Sequence, residues 1–252
     1  MTEDCPKMPI FVLTLERDEA RRAPLINALE KFGLDYELFY GVDGRAGLPA
    51  EYETQIDRLG GLHQMRRWMS DGEFACALSH RAIYREIEQR GLPHAIILED
   101  DAIIDHRLKA FAELQDFGGA QLVLLIHSHA WVWGRPTRIL PGVEARCLAL
   151  NCCCATGYGV TREGARALGV MLEPVRSVAD WPGDLTRLRA VALEPMIVDH
   201  PNQLSGASHL RDTRNSVASG LSGPWRGRGL RRFLHGAYWR RWLRKRLSVR
   251  IS

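Results

Sequence analysis

The segment Ala95-Ile-Ile-Leu-Glu-Asp-Asp-Ala-Ile-Ile104 is the strongest indication of the fold class. Its four leading apolar residues indicate a short buried strand, and three carboxylates, Glu99, Asp100 and Asp101, follow without a break. Adjacent carboxylates repel one another, and a divalent cation would remove that cost because hard cations prefer carboxylate oxygens. Ligands of open α/β sheets bind just beyond the carboxyl ends of the strands, where these acids are expected. The alternatives are a solvated acidic turn and a helix N-terminus whose dipole stabilises acids.

The start of the chain has the pattern of a β-α-β unit. Residues 10–15 are almost entirely apolar, which predicts a strand that is covered on both faces. Asp18 and Glu19 then open a helix that Gly33 ends, and residues 36–40 predict a second strand. A strand, a helix and a strand in this order predict a parallel sheet, so we expect an α/β fold.

The connection between the first strand and the first helix carries arginines. It has no G-x-G-x-x-G sequence, but it has Arg17, Arg21 and Arg22. Arginines near the start of a helix can bind a phosphate through two parallel hydrogen bonds. An exposed helix that is rich in arginine is the alternative interpretation.

Helices and strands continue to alternate along the chain. A helix is predicted from Gly72 to about Arg90, and it contains Ser79 and His80. If this helix packs beside the acidic strand end, both side chains point toward the carboxylates, although a lone histidine in a helix is often a core or capping residue. The further predictions are a helix at 106–116, a strand at 121–126, a strand at 155–161 followed by a helix at 162–172, and a last strand at 191–198.

Composition and termini favour a soluble protein. The chain has 252 residues, of which 46% are hydrophobic and 25% charged, as in ordinary globular proteins that bury a large core. It contains no apolar run of about 18 residues, so no transmembrane helix is predicted. The first residues are polar and lack the apolar stretch of a signal peptide, so we expect a cytoplasmic protein.

The net charge of +4 conceals two parts of opposite charge. Residues 213–252 hold eleven lysines and arginines and no acid, which leaves 23 basic and 30 acidic residues in 1–212. We therefore divide the chain into a domain at 1–212 and a basic, partly helical C-terminal tail at 213–252. Interleaved Trp, Tyr and Arg in the tail are typical of segments that bind an anionic bilayer surface. Nucleic acid is the rival partner, and the acidic body argues against it.

Several segments, taken together, resemble glycosyltransferase family 25, which includes bacterial lipooligosaccharide galactosyltransferases. The segments come in the order of that family and cover about residues 10–205. They are the opening strand and Arg-Arg helix at 12–15 and 19–22, the CxxSH-like segment at 74–80, the EDD signature at 98–101, the Gly-Tyr stretch at 156–164 and the loop that ends at Asp180.

The resemblance implies a GT-A-like fold with a mostly parallel sheet flanked by helices, and a UDP-sugar donor with galactose as the first candidate. It implies that Asp101, with Glu99, binds Mn²⁺ or Mg²⁺ on the donor diphosphate. Glu99 or Asp100 would contact the ribose or orient a water of the metal. The nucleotide side of the site would further include Thr14, Leu15, Arg17 and Arg22, and also Arg21.

Transfer with inversion, which the resemblance also implies, requires one base that takes the proton of the acceptor hydroxyl. Asp180 is the first candidate because of its place in the motif, and Asp184 is the second. His80 is expected either to orient a carboxylate or to touch the donor.

The leading hypothesis is a metal-dependent galactosyltransferase on the inner face of a bacterial inner membrane, acting on a lipid-linked acceptor of the lipooligosaccharide or lipopolysaccharide type. The basic tail would hold the enzyme near that acceptor and raise its local concentration. One alternative is transfer of another hexose, or transfer to hydroxylysine in a protein. Another is a non-catalytic scaffold that binds nucleotide sugars.

Overall fold

The computed structural model describes residues 7–201 and 236–252. The predictions for 202–235, which include the beginning of the basic tail, lie outside the described residues. The division of the chain at residue 212 therefore stays a prediction.

Strands and helices alternate over most of the described chain. The helices are α1 (Glu19–Phe32), α2 (Arg58–Met65), α3 (Asp71–Gln89), α4 (Arg107–Ala112), α5 (Arg162–Met171) and α6 (Gly236–Leu247), with 3-10 helices at Ala50–Gln55 and Leu185–Arg187. The strands are β1 (Ile10–Thr14), β2 (Glu37–Tyr40), β3 (His94–Glu99), β4 (Ile103–Ile104), β5 (Leu122–Leu124), β6 (Trp131–Val132), β7 (Thr137–Leu140), β8 (Val143–Cys147), β9 (Gly157–Thr161), β10 (Ala190–Glu194), β11 (Val198–Asp199) and β12 (Val249–Arg250).

An eight-stranded sheet lies at the centre, in the order β2-β1-β3-β9-β5-β10-β8-β7. Within the described residues, six of these strands run in one direction, and β8 and β9 run against them. The predicted GT-A-like α/β class, with a mostly parallel sheet flanked by helices, is confirmed.

The strand β3 shows why the sheet is covered on both faces. Successive side chains of a strand point to opposite faces. Ala95 and Ile97 pack in one layer of the core, together with residues of α3 and α5. Ile96 and Leu98 pack in the other layer, together with residues of α1 and α4. An uninterrupted apolar run is therefore what this strand requires.

Local sequence signals place the two helices that frame the site. Gly33 ends α1 in the left-handed conformation, with φ 64°, as the sequence predicts. Ser70 and Glu73 form a capping box at the start of α3, so the backbone N–H of Glu73 is bonded to the Ser70 hydroxyl.

The helix α4 is shorter than predicted. The predicted strand at 191–198 is two strands, β10 and β11, because Pro195 lies between them and cannot donate a ladder hydrogen bond.

The C-terminal segment contacts the body of the molecule. Strand β12 pairs with β6 in an antiparallel manner. The backbone N–H of Ile251 donates to the Ala130 carbonyl at 2.9 Å, and the Ile251 side chain is only 5% exposed. Within the described ranges, no helix is both long and apolar enough to cross a membrane.

Candidate active site

Successive side chains of β3 point to opposite faces of the sheet, and this separates the first two carboxylates. Glu99 follows the residues that face α3, and Asp100 follows those that face α1. Accordingly, Glu99 Oε1 lies 3.2 Å from Nε2 of His80 on α3. Asp100 Oδ1 lies 2.8 Å from Nε of Arg21 on α1. The acidic triplet therefore joins both layers of the fold at one edge of the sheet.

Asp100 and Asp101 share the guanidinium of Arg21. Nη2 of Arg21 lies 2.6 Å from Asp101 Oδ2, and the Thr14 hydroxyl donates to Asp100 Oδ2 at 3.0 Å. His200 Nε2 also lies 3.1 Å from Asp101 Oδ2. One arginine and one histidine thus face two of the three carboxylates, and the third, Glu99, faces His80.

One oxygen in this cluster has no protein partner. Asp101 Oδ1 is buried and accepts no hydrogen bond from the described residues. An unsatisfied buried carboxylate oxygen is costly unless a donor or a cation meets it. A hard cation such as Mn²⁺ or Mg²⁺ prefers carboxylate oxygens, so Asp101 Oδ1 is a candidate ligand, and Glu99 precedes it by two residues at the end of β3.

The pKa values of the two aspartates differ in direction. Burial raises the pKa of Asp100 to about 6, although the charge of Arg21 and the hydrogen bond from Thr14 act against it. Burial also acts to raise the pKa of Asp101. The hydrogen bond from His200 and the charge of Arg21 together outweigh it, so the pKa of Asp101 lies below its ordinary value. Asp101 is therefore the aspartate that stays ionised, as a metal ligand must.

A buried chain of hydrogen bonds runs from Glu99 through His80 to two tyrosines. His80 Nδ1 lies 2.8 Å from the Tyr158 hydroxyl, which lies 2.9 Å from the Tyr84 hydroxyl. The Tyr158 hydroxyl donates to the Tyr84 hydroxyl, so the two tyrosines and His80 form one continuous chain. Burial raises the pKa of both tyrosines, so they remain protonated donors. This chain fixes the His80 ring and, through it, Glu99.

A second group of possible metal ligands overlaps with this chain. Ligand atoms of Cys76, His80 and Glu99 lie within 4.8 Å of one another, and no other such group of His, Cys, Asp and Glu occurs among the described residues. Burial, with the charges of Glu99 and Asp180, raises the pKa of the Cys76 thiol well above its ordinary value. Only the thiolate is a good ligand, so a hard cation is better served by Asp101 and Glu99.

The two candidate bases have different environments. Asp180 Oδ1 accepts the backbone N–H groups of Cys154 at 3.1 Å and Ala155 at 2.9 Å. Burial raises the pKa of Asp180, and the nearby charge of Glu99 raises it further. Asp184 is exposed, and its Oδ1 accepts the N–H and the hydroxyl of Thr186 at the start of a 3-10 helix. The geometry therefore places Asp180, and not Asp184, beside the carboxylate cluster.

The arginines near β1 contact different groups. Arg22 does not face the acids: its Nη1 donates to the carbonyls of Leu15 at 3.1 Å and Glu16 at 3.3 Å. Arg22 thereby fixes the turn that follows Thr14. Arg17 is exposed. Arg21 is the arginine that contacts the carboxylates.

Sequence reasoning did not identify His200 or Thr156 as site residues. The Thr156 hydroxyl donates to Glu99 Oε2 at 3.1 Å. His200 reaches Asp101 because β11 pairs with β4. Val198, in the same strand β11, packs closely on Gly157: a Cβ added to Gly157 would lie only 2.9 Å from Val198 Cγ1. Small residues at the start of β9 were the available signal for Thr156, whereas no local pattern predicts the pairing that positions His200.

The sequence profile of glycosyltransferase family 25, described as an LPS biosynthesis protein, matches residues 7–182, which is more than half of the chain. The chain belongs to glycosyltransferase family 25. The matched range includes the three carboxylates and Asp180, and it ends before His200.

Relatives of this family 25 chain have been named in animals. A "Procollagen galactosyltransferase 2" of Mus musculus is 25% identical over 235 residues, covering 82% of this chain and 37% of the relative. A "Glycosyltransferase 25 family member" of Anopheles gambiae is 29% identical over 226 residues, covering 83% of this chain and 35% of the relative. A "Probable inactive glycosyltransferase 25 family member 3" of Bos taurus is 25% identical over 252 residues, covering 86% and 39%. The chain thus spans between a third and two fifths of the length of these relatives.

Among solved structures, the chain is similar to a glycosyltransferase involved in the glycosylation of the major capsid of PBCV-1. The identity is 13%, the match covers 66% of each chain, and the TM-score is 0.33.

Proposed function

We propose that this chain transfers a hexose, with galactose as the first candidate, from a UDP-sugar to a hydroxyl of a lipooligosaccharide-type acceptor, with inversion and with Mn²⁺ or Mg²⁺. One observation carries the proposal. Three consecutive carboxylates lie at the carboxyl end of β3, and a buried oxygen of Asp101 has no hydrogen-bond partner among the residues that the structure describes. Sheet edges of this kind are where α/β folds bind nucleotides.

Each residue of the site has a role in this proposal. Asp101 and Glu99 would hold the cation, which would offset the charge that develops on the departing UDP. Thr14 and Arg21 orient Asp100, and His80 orients Glu99. Asp180, with its raised pKa, would accept the proton of the acceptor hydroxyl in a single in-line displacement.

The choice of galactose is supported by the names of relatives, among them the procollagen galactosyltransferase 2 of Mus musculus. The choice of a lipid-linked acceptor is supported by the description of the family as an LPS biosynthesis protein. It is also supported by α6, where the exposed side chains of Trp239, Trp242 and Leu243 alternate with arginines and Lys245. Such a helix suits the surface of an anionic bilayer, and we propose a location on the inner face of the bacterial inner membrane.

Two other functions have specific support. The procollagen relatives favour a hydroxyl in a protein as the acceptor. The relative named as inactive favours a domain that binds a sugar nucleotide without transfer. Both differ from the leading proposal in the acceptor or in turnover, and not in the donor site.

The first experiment tests the donor and the metal. The purified chain is incubated with a panel of UDP-sugars with and without Mn²⁺, and release of UDP and the thermal midpoint are both measured. We expect metal-dependent release from UDP-galactose and a midpoint that rises with Mn²⁺ and UDP, because a ligand at 100 times its Kd stabilises by about 2.7 kcal/mol. Both effects should disappear in Asp101→Asn.

The matched control is Asp35→Asn, which removes the same charge from an exposed residue before β2, at the opposite edge of the sheet. It should behave like the unmodified chain. Mn²⁺ binding without turnover on any donor would favour the non-catalytic domain. Equal responses of the two variants would contradict the metal assignment.

A second experiment tests the membrane surface. Trp239→Ser with Trp242→Ser should weaken sedimentation with vesicles that contain phosphatidylglycerol, while UDP release is unchanged. Val170→Ser is the control, since Val170 is an exposed apolar residue on α5. These point variants are preferable to removal of the tail, which would also remove β12 and the buried Ile251. Unchanged vesicle binding in the tryptophan variant would refute the assignment.

A further inference from the structure

A cavity of about 620 Å³ opens at the edge of the sheet that lies opposite the carboxylates. It is bordered by the segments that precede β5 and β10 and by the end of β8. Four arginines line it, three from the body and one from α6. We call this cavity the arginine pocket, lined by Arg135, Arg138, Arg189 and Arg244 together with Trp133.

Positive charge predominates among the side chains that line the arginine pocket, within the part of the chain that the structure describes. None of its four arginines forms an ion pair there. Against burial, the hydrogen bonds from Thr186 and the charge of Arg244 lower the pKa of Asp184, so Arg244 lies near one carboxylate. The acid that lines the pocket is Asp116, whose Oδ1 accepts the backbone N–H of Gly118 at 2.6 Å. A pocket lined by four guanidinium groups and one carboxylate can bind phosphate oxygens, since arginine matches them with two parallel hydrogen bonds.

Arg244 connects this pocket to the surface of α6. Its Nη1 donates to the Thr186 hydroxyl at 3.1 Å, so the side chain is held against the body. Around the helix, Arg240 and Arg244 border an apolar stripe at i, i+4 and i+8, formed by Trp239, Leu243 and Leu247. These three side chains are 49%, 50% and 64% exposed. An exposed apolar stripe therefore lies beside the pocket.

We propose that the arginine pocket binds the phosphate of an anionic phospholipid while the stripe of α6 enters the headgroup region of the same bilayer. This inference rests on the membrane association proposed above, to which it adds a phosphate site on the body. A lipid is favoured over a free phosphate because the arginines adjoin side chains that gain free energy only from an apolar environment.

The test uses the full chain and vesicles of phosphatidylcholine with or without 30% phosphatidylglycerol, in the absence of any donor. Arg138→Gln with Arg189→Gln removes two pocket charges, and neither side chain donates a hydrogen bond within the described residues. The control is Lys31→Gln with Arg166→Gln, which removes two exposed charges from α1 and α5. Vesicle partitioning and the thermal midpoint are measured for each without donor, and UDP release is measured in a separate reaction that contains the UDP-sugar.

We expect the pocket variant to bind anionic vesicles roughly 25-fold more weakly, about fivefold for each arginine. The control should stay within roughly twofold, and both variants should keep the thermal midpoint and UDP release. Equal binding by the pocket variant and the control would overturn the proposal, as would equal binding of neutral and anionic vesicles. A free phosphate would be the ligand instead if millimolar pyrophosphate raised the thermal midpoint of the unmodified chain but not of the pocket variant, with no vesicle binding by either. Because no donor is present, failure of sugar transfer would leave these readings unaffected.

Discussion

Asp180 and Asp184 are four residues apart, but the loop gives them different chemistry. The half-buried Asp180 carboxylate is held by two backbone N–H groups through one oxygen, and its burial and then the charge of Glu99 raise its pKa. A base with a raised pKa is a stronger proton acceptor, provided that it is ionised at the working pH. Asp184 faces solvent and caps a short helix.

Asp180→Asn separates these roles. The amide oxygen of asparagine can still accept both backbone N–H groups, so the loop and the free energy of unfolding should change little. Transfer should fall by roughly 10²- to 10⁴-fold, because the general base is lost. Asp184→Asn, which also keeps its cap, should stay within a few-fold of the unmodified rate. Equal losses in both variants would contradict the assignment of Asp180 as the base.

His127 gives a prediction for the pH dependence of stability. Its Nε2 lies 3.0 Å from the Leu193 carbonyl, and Nδ1 is buried without a partner in the described residues. Burial lowers the pKa of His127, against the hydrogen bond to Leu193. The folded state therefore binds fewer protons than the unfolded state. The contribution to stability is complete above the unfolded pKa of about 6.5 and is lost as the pH falls through the lower folded pKa.

Urea unfolding at pH 7.5 and 5.5 checks this sign. The free energy of unfolding of the unmodified chain should fall between the two pH values by more than that of His127→Gln. Glutamine can donate to Leu193 without gaining a charge, so it isolates the titration from the hydrogen bond. An equal fall in both proteins would show that His127 does not titrate in this range.

At the scale of elements, the sequence predicted the parts of the site that depend on local patterns. The apolar run of β3 predicted its burial, and the alternation of side chains explains why Glu99 and Asp100 diverge. The helix at 72–90 was predicted within one residue at each end. The position of His200 was not predictable, because β11 reaches β4 from almost a hundred residues away. The contact of the C-terminal segment with β6 was missed for the same reason.

The pairing of β12 with β6 leads to a prediction about how the C-terminal segment is held to the body. Ile251 is 5% exposed and follows β12, which pairs with β6. Ile251→Ala should weaken the docking of α6 and β12 by about 2 kcal/mol or more, the usual cost of removing a buried isoleucine side chain. Trypsin should then cleave the arginine-rich helix roughly 30-fold faster, since cleavage follows the population of the open form.

Leu247→Ala is the matched control for this experiment, because Leu247 is 64% exposed on the same helix. It should leave the cleavage rate unchanged. If both variants were cleaved at the unmodified rate, the pairing of β12 with β6 would not hold α6 against the body.

At the scale of the whole molecule, opposite charges lie at opposite edges of one sheet. The carboxylates follow β3, and the arginine pocket precedes β5 and β10, which run in the same direction. The strand β3 has six residues, so at about 3.3 Å per residue the two edges are about 17 Å apart along the strands. If the pocket binds lipid phosphates, the active site faces away from the bilayer by at least that distance.

This separation sets a minimum length for the glycan of a membrane-embedded acceptor. A lipid with one sugar cannot place its hydroxyl beside Asp180, whereas an extended oligosaccharide can cross about 17 Å. In phosphatidylglycerol vesicles we therefore expect transfer to the extended acceptor to be roughly tenfold faster or more, because small errors of position are costly in catalysis. The same two glycans, released from lipid and free in solution, should react at rates within a few-fold of each other. Equal rates in vesicles would show that the arginine pocket does not face the membrane while the enzyme works.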